Sequence, residues 1–473
     1  MRTLYLFIFL LISAFSFGQT MEKRLSDAVK ILEADDQFKH AIMSLYVVDG
    51  KTGKMIYEKN AQVGLAPASC QKLVTSVTAF ALLGHDFHYT TYIGTDPVAD
   101  KNYDAGSLFI IGQGDPTLGS WRWKSTRDTA VLSGITAILK KNKLTRFERN
   151  LYVEDDYYGL QILPDGWIWQ DIGNYYGAAC FGFNWHENQY DLVLQPGMKT
   201  GLPATVIATE PRVPDLSITN HITTGPKGSG DNGYIYTSPF SGFAITSGTI
   251  PAQEENFTIS GSMPNPSKVF KNVLVDHLIN NGIRIQPTSY ANSENILFGK
   301  PVFKAMHLVD SLISPPLDSI NYWFLKRSVN LYGEALLKSL AKKYHPYIAN
   351  DKVYDSAISV VKNFWSKNGI DPSALNIIDG CGLSPANRVT THALVTIMQF
   401  AKKQDWFSSF FEALPLVNGI KMKDGYINRV RSFTGYIKSR SGAEYTFSFI
   451  VNNFDGSAGS VREKIWKLLD ILK

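Results

Sequence analysis

The sequence predicts an α+β protein in which the two ends of the chain build one antiparallel sheet flanked by helices, with a long β-rich insertion between them. Three observations predict it. Near the start, a helix-patterned segment leads into a hairpin and then a second helix. After Ser311 helical spacing returns, and the tail reads as a strand meander closed by an amphipathic helix. Between Tyr89 and about Pro301 the texture changes to short strands, turns and many aromatics, too long for a loop.

Taken in order, residues 1–18 begin with Arg2, run apolar from Leu4 to Phe17 and end in Ser16-Phe17-Gly18. This is the layout of a secretory signal cut before Gln19, and the mature chain is expected to be exported. Leu25, Val29, Ile31 and Leu32 give Met21 to Glu33 the apolar stripe of a helix. Ala41 to Val48 and Lys54 to Glu58 form a hairpin around the turn Asp49-Gly50-Lys51-Thr52-Gly53. Leu73, Val77, Phe80 and Ala81 then predict a helix running to Leu83.

Within the insertion, Leu108 to Ile111 and Leu151 to Val153 are strand-like, Pro226 to Gly242 is turn-rich, and a helix returns at Phe270 to Asn281. Further helices are predicted around Ile320 to Phe324 and over Leu331 to Tyr344, Ala357 to Lys367 and Thr391 to Lys403. Gly419 to Met422, Tyr426 to Val430, Gly435 to Ser439 and Tyr445 to Asn452 read as strands, and Val461 to Leu472 as the closing helix.

The 473 residues exceed one ordinary core, and 44% apolar with 19% charged residues is a globular composition. No stretch after the leader approaches the ~18 apolar residues a spanning helix needs. Three widely spaced cysteines, Cys70, Cys180 and Cys381, do not make a disulfide framework. The formal charge of +5 is dispersed, without the basic block that nucleic-acid binding calls for. His85, Asp86 and His88 lie just past a helix end and read as a loop, not a metal site.

The chemistry-bearing stretch is Pro67-Ala68-Ser69-Cys70-Gln71-Lys72-Leu73-Val74-Thr75. Ser69 and Lys72 stand three residues apart at a helix start, so both side chains fall on one face of one turn. A serine hydroxyl becomes a good nucleophile when a neighbour takes its proton, and a desolvated lysine can be that base. A serine N-cap followed by a solvated lysine has the same spacing, so the pair gains meaning only from partners elsewhere. Ser328-Val329-Asn330 lies just ahead of a predicted helix, where Ser and Asn also serve as caps. Lys51-Thr52-Gly53 is ordinary hairpin chemistry and precedes the nucleophile. Lys423-Asp424-Gly425, on a β-like stretch in the last third, is the better source of a cation beside the site, with glycine permitting close approach of substrate backbone.

In this order Ser69-x-x-Lys72, Ser328-x-Asn330 and Lys423-x-Gly425 resemble the three signature motifs of penicillin-binding proteins and serine β-lactamases. The long interval from Ser69 to Ser328 is similar to that of the low-molecular-mass D-alanyl-D-alanine carboxypeptidase/endopeptidase family, of the penicillin-binding protein 4 type. Gly114-Asp115-Pro116-Thr117-Leu118, Gly166-Trp167-Ile168-Trp169-Gln170-Asp171 and Asp379-Gly380-Cys381-Gly382-Leu383-Ser384 match as well. The resemblance implies an α/β/α serine acyl-transferase domain from 19–92 and 303–473, with 93–302 inserted as two subdomains. It implies a periplasmic DD-peptidase acting on peptidoglycan stem peptides, without metal or organic cofactor, and trapped covalently by β-lactam antibiotics. Ser69, Lys72, Ser328, Asn330 and Lys423 would be catalytic; Asp424, Gly425 and Asp171 would bind substrate.

One departure stands out. Asp424 occupies the place where the family has a hydroxyl that meets the substrate's terminal carboxylate, and an ionised Asp would repel that group. A rival reading follows, in which the chain is a weak or inactive peptidoglycan-binding homologue.

Overall fold

A computed structural model describes residues 20–96, 106–285, 289–291, 306–347, 349 and 351–473. The expected signal segment, 1–18, lies outside them. Strands from both chain ends share one six-stranded antiparallel sheet, in the order Leu416–Val417, Ile420–Ile427, Val430–Lys438, Glu444–Asn452, Ile42–Asp49 and Met55–Lys59. The central pairing aligns Ile42 with Asn452 and Asp49 with Tyr445, residues from opposite ends of the sequence.

Because successive strand residues face opposite sides, each strand serves two layers. Met43, Leu45, Val47, Phe433, Phe447 and Phe449 meet the helices Met21–Glu33 and Ala458–Leu469 on one side. On the other side lie the helices Gln71–Leu83, Leu317–Lys326, Asn330–Tyr344, Val353–Lys367, Thr391–Ala401 and Phe407–Ala413, whose apolar core also takes in Tyr436 and Ile450. Gln71–Leu83 is buried along most of its length, its polar residues Lys72, Thr75, Ser76 and Thr78 included, each with a hydrogen-bond partner. Among the described residues, no helix is long and apolar enough to cross a membrane.

The intervening region is built on a five-stranded sheet ordered Ser289–Ala291, Leu151–Glu154, Leu108–Gly112, Thr90–Thr95 and His307–Ile313. The strand Thr90–Thr95 crosses the boundary expected at 92/93, and His307–Ile313 lies beyond that expected at 302/303. Their ladder hydrogen bonds go to each other and to Leu108–Gly112, so both strands belong to the inserted unit. Helices Asp128–Lys141 and Pro266–Asn280 pack with this sheet, and smaller three- and four-stranded sheets share the same apolar core.

Two further differences from the sequence expectations have physical causes. Asp128–Lys141 was not anticipated, although Val131, Ile135 and Leu139 are all buried at helical spacing. Tyr426 to Val430 is not a separate strand. One strand runs unbroken through Gly425 to Ile427, and the chain reverses at Asn428-Arg429, where Arg429 takes φ 56°.

Candidate active site

The turn that carries Ser69 is a short 3-10 segment, Ala68–Cys70, fused to the helix Gln71–Leu83. Ala68 adopts φ 44°, a left-handed conformation uncommon outside glycine and concentrated at functional sites. One helical turn on, Lys72 is fully buried, and its ammonium donates three hydrogen bonds. They run 2.9 Å to Ser69 Oγ, 2.6 Å to Asn330 Oδ1 and 2.8 Å to the Cys381 carbonyl. Burial pushes the Lys72 pKa down to about 8. The Lys423 charge acts in the same direction, while Cys381, Asp379 and Glu334 act against it.

Asn330 opens the helix Asn330–Tyr344, and its amide nitrogen donates 2.7 Å to the Tyr176 carbonyl of the inserted region. That bond fixes the amide with its oxygen toward Lys72. Ser328, two residues earlier, is held at φ 57° between two helices. Ser328 borders the same cleft as Ser69 and is not among the three acceptors of Lys72.

Lys423 lies on the strand Ile420–Ile427, whose neighbour in the fold is the nucleophile turn. Its carbonyl accepts from Cys70 Sγ at 3.3 Å. Gly425 is pressed so closely on that turn that a Cβ would come within 2.8 Å of both Ser69 N and Pro67 O. Only glycine fits there without movement. The Lys423 ammonium is buried and donates 2.7 Å to the Asp424 carbonyl, with Asp424 Oδ1 at 3.4 Å. The Asp424 side chain is 39% exposed and, like Lys423, is not on the cleft wall. Lys51 and Thr52 form the expected hairpin turn, with Asp49 accepting from both backbone N–H groups.

The cleft over Ser69 has a volume of about 880 Å³ and runs between the catalytic layers and the insertion. Ser69, Ser328, Asn330, Asp171, Tyr176 and Tyr426 all border it. Asp171 sits in the short helix Trp169–Ile172. Partial burial raises its carboxyl pKa, opposed by a hydrogen bond from Tyr176. Trp167, from the same stretch, is buried and donates 2.9 Å to Asp379 Oδ2, joining the insertion to the loop that supplies the Cys381 carbonyl.

Glu334, Asp379 and Cys381 are the one group among the described residues whose ligand atoms are close enough to hold a metal. Asp379 is already committed to protein donors, and Glu334 is partly so. Asp379 receives Gly382 N, Ser384 N, Asn387 Nδ2 and Trp167 Nε1, and Glu334 receives Gly380 N. His88 and His85 are apart from this group, with ring nitrogens 2.6 Å from the Ser314 carbonyl and 3.4 Å from Asp318.

The model of the D-Ala-D-Ala carboxypeptidase 3 (S13) family matches residues 25–470. This chain belongs to that family. It is therefore a serine-type D-alanyl-D-alanine carboxypeptidase. It is 24% identical to the D-alanyl-D-alanine carboxypeptidase of Actinomadura sp. (strain R39), over 93% of this chain and 83% of that one. To the D-alanyl-D-alanine carboxypeptidase DacB of Haemophilus influenzae it is 22% identical, over 87% and 85%. The crystal structure of penicillin binding protein 4 from Haemophilus influenzae has the same fold, with a TM-score of 0.77 at 18% identity, covering 94% of this chain and 97% of that one. The same H. influenzae protein has also been solved in complex with a β-lactam.

Sequence reasoning missed the groups that complete the Lys72 environment. The carbonyls of Tyr176 and Cys381 carry no side-chain signature. Glu334 did leave a signal, because Asn330, Glu334 and Lys338 recur every four residues along a helix that is buried from Leu331 to Ala341.

Proposed function

We propose that the chain is exported to the periplasm and hydrolyses D-Ala-D-Xaa bonds of peptidoglycan stem peptides through an acyl-Ser69 intermediate. The observation that carries this reading is the 2.9 Å contact between Ser69 Oγ and a buried lysine amine whose pKa is lowered to about 8. In its free-base form Lys72 accepts the Ser69 proton as Oγ bonds to the scissile carbonyl carbon. The Ser69 N–H, with an N–H of the strand following Lys423, stabilises the oxyanion. Collapse of the tetrahedral adduct breaks the C–N bond, and Ser328 and Lys423 help deliver a proton to the leaving amine. Water then cleaves the ester. Asn330 positions the peptide and Asp171 contacts it within the cleft. Gly425 allows the strand to approach.

β-Lactams would acylate the same hydroxyl. Labelling with a fluorescent penicillin tests the reading, with a band expected for the wild type and none for Ser69→Ala. Folded wild-type protein that takes no label would overturn it. One observation favours a weak or non-catalytic homologue as a second reading, namely the Asp424 carboxylate 3.4 Å from the buried Lys423 ammonium. In that case binding to peptidoglycan would persist without labelling.

A further inference from the structure

Lys72 owes its third hydrogen bond to a backbone carbonyl, so the loop that carries Cys381 must be held to within a fraction of an ångström. That loop is clamped at Gly380. Its N–H donates to Glu334 at 3.0 and 3.1 Å, and its carbonyl accepts 2.6 Å from Thr75 Oγ1, one turn beyond Lys72 on the nucleophile helix. Gly380 lies flat against Gly333, with no room for a Cβ between the loop and the helix backbone. Glu334 is completely buried and stands one turn after Asn330 on the same helix. A single helix face thus offers Lys72 one ligand directly and secures another.

A glutamine could accept the Gly380 N–H equally well, and burying a carboxylate that has no cation in contact is costly. The group is therefore informative about charge as well as geometry. We propose that Glu334 is a positioning residue for the reaction: it seats the Cys381 carbonyl on Lys72 and supplies a negative field that sets how readily Lys72 gives up its proton. This deepens the acyl-Ser69 reading and rests on it.

The titratable groups around Lys72 are Glu334 from its helix, Asp379 and the Cys381 thiol from the loop, and Lys423 from the sheet; burial holds the thiol well above its ordinary pKa, so it stays neutral. Glu334 itself faces Asp379, Cys381, Lys338 and Tyr354. Burial, with Asp379 beside it, raises the Glu334 pKa to about 7, and its ionised form adds a negative charge near Lys72. Removing that charge disfavours the ammonium and lowers the lysine pKa.

Two variants and two readouts test the proposal, with thermal unfolding as the check on folding. In Glu334→Gln the ascending limb of the acylation pH profile, measured with a fluorescent penicillin, should move to lower pH by roughly half a unit to one unit. NMR titration of ¹³C-lysine-labelled protein should show the same displacement of Lys72, whether or not acylation occurs. Glu334→Ala, which also removes the Gly380 acceptor, should lose roughly ten- to a hundredfold more acylation rate than Glu334→Gln. An unmoved limb and an unmoved Lys72 titration in folded Glu334→Gln would overturn the proposal, even if Glu334→Ala does not fold. Wild-type protein that titrates Lys72 as described yet takes no label would instead remove the acyl-Ser69 reading.

Discussion

Asn330 Oδ1 stands 2.6 Å from Lys72 Nζ, closer than Ser69 Oγ at 2.9 Å. An uncharged acceptor there orders the amine without stabilising its protonated form as strongly as a carboxylate would. Asn330→Asp should therefore raise the Lys72 pKa and also set a second oxygen against the Tyr176 carbonyl. Acylation at pH 7 is expected to fall by roughly tenfold or more, with part of the loss recovered at higher pH. Rates of fluorescent-penicillin labelling between pH 6 and 10 decide it, and an unchanged profile would mean that Asn330 does not influence the base.

The wild-type profile has its own expected shape. A lysine pKa lowered to about 8 leaves roughly one tenth of the molecules with a free amine at pH 7. The sign follows from the active form being the deprotonated one, so acylation should rise about tenfold per pH unit below the midpoint and level off above it. A rate that is flat from pH 6 to 9 would show that the step being measured does not need the free amine.

Gly425 should tolerate no side chain. In Gly425→Ala the new methyl would meet Ser69 N and Pro67 O at 2.8 Å, so either the strand or the nucleophile turn must move. A displacement of about 1 Å is enough to cost roughly a hundredfold in a positioned reaction. Acylation kinetics on protein with a native circular dichroism spectrum provide the measurement, and wild-type rates would place the turn's tolerance well above what the contact distances allow.

Asp424 and Lys423 form a pair at 3.4 Å, which sets the expectation for Asp424→Thr. Two carboxylates about 4 Å apart repel by roughly 1 kcal/mol in water and ~4 at a protein-like effective dielectric, a one- to three-decade effect on binding. Lys423 offsets part of that repulsion in the wild type, and its 2.7 Å bond to the main-chain carbonyl of residue 424 does not depend on the side chain there. The gain in kcat/KM should be larger for a pentapeptide ending in free D-Ala-D-Ala than for an internal cross-link lacking that terminal carboxylate. Equal gains on both substrates would separate Asp424 from carboxylate recognition.

Legibility from sequence followed the range of the interactions. Ser69 and Lys72 share one helical turn, and a local relation of that kind is written in their spacing. The pairing of Ile42–Asp49 with Glu444–Asn452 was foreshadowed by matching hairpin and meander patterns at the chain ends. Groups supplied by main-chain atoms left no such trace: nothing in Tyr176 or Cys381 announces that its carbonyl will meet Asn330 or Lys72. The strand through Gly425 was read as two pieces, Gly419 to Met422 and Tyr426 to Val430, whereas Gly425 lies inside one strand at its close approach to Ser69. The helix Asp128–Lys141 was legible in principle from Val131, Ile135 and Leu139 but was masked by the turn-rich segments on either side.

The sheet that joins the chain ends also has a consequence in time. During synthesis Ser69 is made long before the strand Ile420–Ile427 that walls its turn and the strand Glu444–Asn452 that ties the first hairpin into the sheet. A chain that stops short of these strands has the turn of Ser69 and Lys72 without the strand packed against it, and the site is built only when both strands are in place.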